Sequence, residues 1–97
     1  MRYTLSIAEA AEDDLRYAFL WYEEQKEGLG LSFEKHISKA VASILDNPFK
    51  TQIRYGSTRV FFLKKFPFGI HFHIQEKTIL IVAVFHMSQN PEKWKGR

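Results

Sequence analysis

Three stretches in the second half of the chain have the hydrophobic patterns of neighbouring β-strands. In Phe68–Gln75 apolar and polar residues alternate, so that the even positions line one face and His71 and His73 lie on the other. Residues 79–85 are apolar throughout, which is typical of a strand covered on both faces. Residues 59–65 form a third candidate strand, which ends at a Phe-Pro-Phe turn because proline cannot donate to a sheet ladder. We expect these three strands to be adjacent and to form the core.

The first half of the chain has helical periodicity instead. Apolar residues recur every three or four positions over residues 8–25 and again over residues 32–45. Gly28 and Gly30 separate the two segments, and an Asn-Pro pair ends the second. The pattern predicts two helices joined by a short glycine turn.

The ends of these helices carry further signals. Ser6 and Glu9 have the spacing of a capping box, which predicts that the Ser6 hydroxyl caps the first helix. Residues 3–7 and residues 49–55 are short strand candidates before and after the helices. The order predicts an α+β fold, in which an antiparallel sheet of four to five strands has the N-terminal helical hairpin packed on one of its faces.

Length and composition limit the class of protein. With 97 residues, 45% of them hydrophobic, the chain can bury one small core, and we expect a single domain over residues 1–97. There is no cysteine, which argues against a disulfide framework and agrees with a reducing compartment. No signal peptide or membrane-spanning run is recognisable. We expect a cytoplasmic protein that has no cofactor and no contact with a membrane.

The two halves of the chain differ in charge. Residues 1–48 hold five Lys or Arg and nine Asp or Glu, whereas residues 49–97 hold nine and two. A basic sheet half next to an acidic helical half favours an anionic partner, either nucleic acid or an acidic protein segment. The alternative is a sheet face whose charges are simply solvated.

Motifs along nearly the whole chain resemble the RelE/ParE superfamily of toxins from type II toxin–antitoxin systems. The residues that carry the resemblance are Trp21, Tyr22, Glu23 and Gln25, then Gly28, Leu29, Gly30 and Phe33, then Asn47, Pro48, Arg59 and the turn at Phe66, Pro67 and Phe68, and last Val84, Phe85, His86, Asn90, Pro91, Glu92, Lys93, Trp94 and Arg97. The order and spacing of these pieces carry the argument, because none of them is specific alone.

The resemblance implies a small antiparallel sheet backed by a helical hairpin, and it implies one of two activities. RelE-like members cleave mRNA in the ribosomal A site, whereas ParE-like members poison DNA gyrase. In both branches a cognate antitoxin wraps over the toxin, so the implied partners include an antitoxin in a toxin–antitoxin hetero-oligomer. The helical-hairpin motif is closer to the ParE-like branch, so gyrase poisoning is the favoured function. The alternatives are a ribosome-dependent mRNA endoribonuclease and an inactive toxin that retains only antitoxin binding.

The candidate catalytic residues of the nuclease alternative are Arg59, Lys65 and His86. RNA cleavage by the 2′-hydroxyl needs a base, an acid and cations for the charge that builds on the phosphate. Two positions depart from the RelE-like pattern, since Gly69 and Gln89 stand where that resemblance implies arginines. Trp94 stands where a tyrosine is often found, and an indole cannot exchange a proton.

The candidate target- or antitoxin-binding residues lie on the sheet half and in the C-terminal tail. They are Arg59, Lys64, Lys65, His71, His73, Trp94, Lys95 and Arg97. Lys64 and Lys65 are equally explained as charges that guard a sheet edge. His71 and His73 have no third ligand in the pattern, so no metal site is expected.

The remaining expectations concern packing. We expect Trp21 and Tyr22 to pack in the core or the hairpin, with antitoxin contact as the alternative, and Glu23 to lie at a solvated helix end. The sheet face opposite the helices is expected to stay open for a macromolecule and to gather the basic side chains.

Overall fold

The computed structural model describes residues 2–89 and folds them into two helices and a five-stranded sheet. In chain order the elements are β1 (Thr4–Ile7), α1 (Glu9–Gln25), α2 (Leu29–Asp46), a 3-10 turn (Pro48–Lys50), β2 (Ile53–Tyr55), β3 (Thr58–Phe62), β4 (Phe68–Gln75) and β5 (Thr78–His86). The α+β class and the helical hairpin are therefore as predicted. Neither helix of the described chain has the length and apolar character needed to cross a membrane.

The sheet has the order β1-β5-β4-β3-β2. Strands β2 to β5 form an antiparallel meander, but β1 pairs in parallel with β5 through the partners Thr4 and Thr78 to Ile7 and Ile81. The sheet is thus antiparallel as predicted, except that β1 runs parallel to its neighbour. The apolar strand β5 needs neighbours on both sides, and β1 covers the side that the hairpin with β4 leaves open.

A bulge in β5 explains why its sequence does not alternate. His71 pairs with Ala83 and Phe72 with Ile81, so Val82 is an extra residue in the ladder. Ile81 therefore joins the core on the helix side, whereas Val82 and Ala83 both belong to a second cluster on the opposite face. The strand is buried on both faces, as its continuous apolar run predicts.

The main core lies between the helical hairpin and one face of the sheet. Its buried residues come from α1, α2, β4, β5 and the loop before β4; they are Ala11, Ala18, Tyr22, Phe33, Ile37, Ala40, Ile44, Leu63, Phe66, Ile70, Phe72, Ile79, Ile81 and Val84. The even positions of β4 thus face the helices, as the alternation predicts.

The start of α1 differs from the prediction. The helix begins at Glu9 with Ala8 at the N-cap position, and Ser6 lies within β1. The capping box is therefore wrong, because the register of β1 against β5 extends to Ile7 and leaves Ser6 no freedom to turn back.

The turn between the helices depends on Glu23. Its carboxylate accepts hydrogen bonds from the backbone N–H groups of Gly28 (3.1 Å) and Gly30 (2.8 Å), which lie at the start of α2. Gly28 has φ of 86°, and a Cβ on Gly30 would lie 2.7 Å from the Phe19 carbonyl oxygen. Glu23 is thus not a solvated helix end. It compensates the positive end of the α2 dipole and fixes the hairpin.

Candidate functional site

A groove of about 630 Å³ opens between α1 and the neighbouring ends of β4 and β5. Tyr17 and Trp21, one helical turn apart on α1, form its outer lip and remain 81% and 57% exposed. The complete lining is Asp14, Tyr17, Ala18, Trp21, Tyr22, Pro67, Phe68, Val84, His86 and Gln89. Ala18 is the small residue of the helix wall, and it leaves the space that a larger side chain would fill.

Tyr22 is the floor of this groove and the centre of an aromatic cluster. Its ring lies 4.9 Å from that of Phe66 and 5.3 Å from that of Phe33, both in the core. Trp21 contacts Tyr22 edge-on at 5.2 Å. Burial raises the pKa of Tyr22 above its ordinary value of 10.0. The expectation of core packing is thus confirmed for Tyr22, whereas Trp21 lies at the surface.

Asp14 connects the helix to the sheet at one end of the groove. Its carboxylate accepts a hydrogen bond of 3.0 Å from the backbone N–H of Val84, seventy residues further along the chain. Val84 lies on β5 beyond Ile81, where the pairing with β1 ends. The Asp14 carboxylate of α1 therefore accepts the hydrogen bond that a backbone carbonyl of β1 would otherwise accept. This bond helps to fix the spacing between α1 and β5.

His86 forms part of the opposite wall and has well-defined neighbours. Its Nδ1 accepts a hydrogen bond from the backbone N–H of Ser88 (3.0 Å) and lies 2.7 Å from the Ser88 hydroxyl. The ring packs edge-on against Phe68 at 5.1 Å. Because Nδ1 accepts from an amide, the neutral ring carries its proton on Nε2. Gln89 accepts from the backbone N–H of His86 at 2.7 Å and so holds the strand end in place.

Arg59 does not lie with His86. Arg59 pairs with Phe72, whereas His86 pairs with Phe68, four residues away on β4. At the usual rise per strand residue, the backbones of Arg59 and His86 are therefore about 13 Å apart along the strand direction. Because Phe72 belongs to the helix-side core, Arg59 projects to the helix face of the sheet. Its guanidinium lies over the Phe49 ring at 5.1 Å and donates to the Thr51 carbonyl.

The face opposite the helices is less open than predicted. His71 is only 1% exposed, its Nδ1 lies 2.8 Å from the Tyr55 hydroxyl, and its ring packs on Phe85. His73 is half-buried, with Nε2 at 2.8 Å from the Thr58 hydroxyl. The expectation that both histidines face solvent is therefore wrong for His71. Among residues 2–89 no group of three or more His, Asp or Glu side chains is arranged to hold a metal ion.

Gly69 lies on this same face, and its place is occupied by neighbouring side chains. A Cβ built on Gly69 would lie 2.7 Å from Cγ1 of Val60 and 3.2 Å from Cδ1 of Phe62. The guanidinium of Arg54 lies over the Phe62 ring at 5.2 Å. A side chain at Gly69 would require Val60 and Phe62 to move.

Lys64 and Lys65 are exposed in the loop between β3 and β4. Strand β3 ends at Phe62, so the two lysines follow the strand rather than ending it as predicted. They precede Pro67, which lines the groove, but neither lysine lines it. Trp94, Lys95 and Arg97 lie outside the described residues.

The comparisons with known proteins agree with this geometry. The family model of the ParE toxin of type II toxin–antitoxin systems (parDE) matches residues 5–91. The chain belongs to this ParE toxin family. No curated protein sequence matches it significantly.

Solved structures show the same fold at low sequence identity. The chain is similar to the chromosomal ParDE toxin–antitoxin system from P. aeruginosa, with 18% identity, a TM-score of 0.80, and coverage of 90% of this chain and 98% of the other. It is similar to the intact E. coli RelBE toxin–antitoxin complex, with 17% identity, a TM-score of 0.65 and coverage of 91% and 99%. An E. coli RelE variant in complex with a peptide of the antitoxin RelB gives 15% identity, a TM-score of 0.67 and coverage of 99% and 94%.

Several site residues of this ParE-family toxin are absent from the sequence prediction. Tyr17 and Asp14 have the helical spacing of a groove wall, but only the tertiary position of α1 distinguishes them from solvated residues. Arg54 and Tyr55 lie on a three-residue strand whose register shifts between Ile53 and Tyr55, so their faces cannot be read from periodicity.

Proposed function

We propose that this ParE-family toxin arrests growth by binding and poisoning DNA gyrase, and that a cognate antitoxin neutralises it. The observation that carries the proposal is the distribution of the candidate residues. Arg59 and His86, two of the three side chains proposed for RNA cleavage, are held apart, whereas the exposed Tyr17 and Trp21 form one lip of a groove of the kind that binds protein.

Two of the three nuclease candidates, Arg59 and His86, lie far apart, which argues against a shared phosphate site. A general acid or base must come within about 3 Å of the proton it transfers, and the cations must surround the same phosphate. Arg59 is engaged with Thr51 and Phe49 on the helix face, about 13 Å along the sheet from His86. His86 uses Nδ1 to accept from Ser88.

The two departures from the RelE-like pattern have structural roles of their own. Gly69 leaves room for Val60 and Phe62 on the face opposite the helices. Gln89 accepts from the backbone of His86. Neither position can bring a positive charge to a phosphate, which supports a toxin that acts by binding rather than by cleavage.

The groove has the composition of a protein-binding site. Tryptophan and tyrosine are the residues most enriched at the energetic centres of protein interfaces, and Tyr17 and Trp21 present both types. Lys64 and Lys65 are exposed in the loop that leads to Pro67, and their positive charge fits an acidic surface on the target. We assign the groove and these two lysines to the contact with gyrase.

The antitoxin part of the proposal rests on the family and on its solved relatives. The family is described as the toxin of a type II toxin–antitoxin system, and the similar structures from P. aeruginosa and E. coli are of such systems. A cognate antitoxin, bound in a hetero-oligomer, is the partner that this relationship supports.

The test is induction of the toxin without any antitoxin, followed by growth measurement and primer extension on mRNA. We expect growth arrest with DNA damage, no codon-phased cuts, and the same arrest for His86→Ala. Trp21→Ala should relieve the arrest, while Leu31→Ala, an equally exposed apolar residue outside the groove, should not.

The opposite results are equally clear. Codon-phased cuts that His86→Ala abolishes would replace gyrase by the ribosome and mRNA as the target. Normal growth on induction of the wild-type toxin would indicate an inactive toxin that retains only antitoxin binding.

A further inference from the structure

The outer edge of the sheet at β2 carries positive charge and is accessible from both faces. We define the basic edge as Lys50, Arg54 and Arg59. No strand of the described chain lies on the outer side of β2. Ile53, which pairs with Arg59 on the helix face, is 52% exposed, so the helices do not cover β2. Arg54 is exposed on the opposite face.

The charge around the basic edge has one sign. Residues 47–75 contain five Lys or Arg and no Asp or Glu. The two cations outside the basic edge, Lys64 and Lys65, are exposed in the loop that follows β3. The nearest acidic residues along the chain are Asp46, which ends α2, and Glu76, in the turn after β4. A surface of this kind attracts a polyanion.

The two arginines are held on opposite faces of the sheet. Arg54 lies over the Phe62 ring at 5.2 Å, and Phe62 pairs with Gly69 on the face opposite the helices. Arg59 lies over the Phe49 ring at 5.1 Å and donates one hydrogen bond to a backbone carbonyl. A guanidinium has five N–H donors, so each arginine has donors for a phosphate while it stays on its ring. Arginines fixed in this way lose less conformational freedom when they bind.

The dimensions of the edge match the major groove of duplex DNA. That groove is about 12 Å wide and about 8.5 Å deep, and it accepts a β-ribbon. Neighbouring strands lie about 4.8 Å apart and one layer of sheet is about 10 Å thick, so the groove has room for β2 and β3. An arginine on each face would then lie next to each of the two phosphate backbones that border the groove.

The placement of the arginines favours duplex DNA over other polyanions. A duplex presents phosphates on two backbones, so it can contact both faces of the edge at once. Single strands are bound by stacking their bases on aromatic rings, whereas one side of the Phe49 ring and one side of the Phe62 ring are occupied by guanidinium groups. Duplex RNA has a narrow major groove that does not accept an edge strand.

We propose that the basic edge binds the phosphate backbones of duplex DNA, with β2 in the major groove. Binding is independent of base sequence, because phosphate contacts carry no sequence information. The inference extends the proposed function but does not depend on it. Phe62, beneath Arg54, pairs with Gly69, which is adjacent to Phe68 of the groove. A toxin that binds gyrase through the groove would therefore be able to hold a DNA segment at the same end of the sheet.

The test is the fluorescence anisotropy of a labelled DNA duplex of about 20 base pairs, titrated with the purified toxin between about 50 and 200 mM salt. With three phosphate contacts, the logarithm of the binding constant should fall with the logarithm of the salt concentration with a slope of about −2.7, which is about a 40-fold loss of affinity over this range. Two unrelated duplexes should bind equally. Duplex RNA should bind at least about fivefold more weakly.

Two matched variants test whether the binding lies at the basic edge. Arg54→Gln should lower the affinity at low salt roughly tenfold and reduce the salt slope by about 1. Lys77→Gln removes the same charge from the turn between β4 and β5, at the other end of the sheet, and should leave the slope unchanged. Far-UV circular dichroism establishes that each variant is folded. Lys50→Gln should act like Arg54→Gln, and it replaces that variant if Arg54→Gln does not fold.

Four results would overturn the inference. One is the absence of DNA binding at about 100 μM toxin and low salt. Another is an equal loss of slope in Arg54→Gln and Lys77→Gln, which would mean attraction to net charge alone. The third is binding of the single strand or of duplex RNA as tightly as duplex DNA. The fourth is displacement of the DNA by an equal concentration of a polyglutamate peptide, which would make an acidic protein segment the occupant.

Failure here is distinguishable from failure of the gyrase proposal. If the toxin poisons gyrase and binds no duplex by itself, only the DNA site is wrong. If the duplex binds as expected and the toxin leaves gyrase unaffected, only the gyrase target is wrong.

Discussion

Gly69 gives the sharpest test of how tightly the sheet face opposite the helices is packed. In Gly69→Ala the new methyl group would lie 2.7 Å from Cγ1 of Val60 and 3.2 Å from Cδ1 of Phe62, so both side chains must shift. Overpacking of this kind costs about 1–3 kcal/mol. Alanine restricts the unfolded chain and returns roughly 0.5–1 kcal/mol. We expect a net loss of about 1–2 kcal/mol in the free energy of unfolding.

Val60→Ala provides the matched variant, because it removes the methyl group that Gly69→Ala would strike. Alone it should cost about 2 kcal/mol through lost burial, since Val60 is 3% exposed. In the double variant the new methyl occupies the vacated space, so the total loss should stay near 2 kcal/mol. The coupling free energy is then about 1–2 kcal/mol, well above the roughly 0.5 kcal/mol scatter of independent sites.

Urea unfolding of the wild type, both single variants and the double variant measures this coupling. If the two losses simply add, Val60 does not restrict Gly69 and the packing argument fails.

The same packing predicts that Gly69→Arg lowers stability further and still cleaves no mRNA. Cleavage by Gly69→Arg would show that a missing arginine alone separates this toxin from a nuclease.

Two further predictions concern the helical hairpin. Glu23→Ala should lower the free energy of unfolding by roughly 2 kcal/mol and Glu23→Gln by about half as much, because an amide oxygen can still accept from Gly28 or Gly30; equal stability of all three proteins in urea would contradict this role. Burial raises the pKa of Tyr22, so the stability it contributes is complete below pH 10 and is lost as pH rises through the folded-state pKa. When the free energy of unfolding in urea is measured between about pH 9 and 12, it should therefore fall less for Tyr22→Phe than for the wild type. Equal falls for the two proteins would refute a raised pKa of Tyr22.

Much of the fold follows from local pattern. The even positions of β4 face the core, and the bounds of α1 at Gln25 and of β4 agree with the periodicity because one face of each element is buried. The residues that deviate are those whose partners are distant in sequence. Ser6 has the right neighbours for a helix cap, but the parallel ladder with β5 keeps it in a strand.

The candidate site is less accessible to sequence reasoning for the same reason. His71 follows an alternating pattern that predicts exposure, yet Tyr55 and Phe85 pack against it. Arg59 is on the helix face because of its pairing with Phe72, which no local signal gives. The groove beside Trp21 depends on the position of α1 against β5, which core packing and the bond from the Val84 N–H to Asp14 determine.

The most direct test of the central claim is a gyrase assay with purified proteins. The toxin is added to gyrase, ATP and relaxed plasmid, and both supercoiling and the double-strand breaks released by detergent are measured. We predict inhibited supercoiling and accumulated breaks with wild type and His86→Ala, and a clear loss of both effects with Trp21→Ala but not with Leu31→Ala. Unaffected gyrase at a molar excess of folded wild-type toxin would contradict the account.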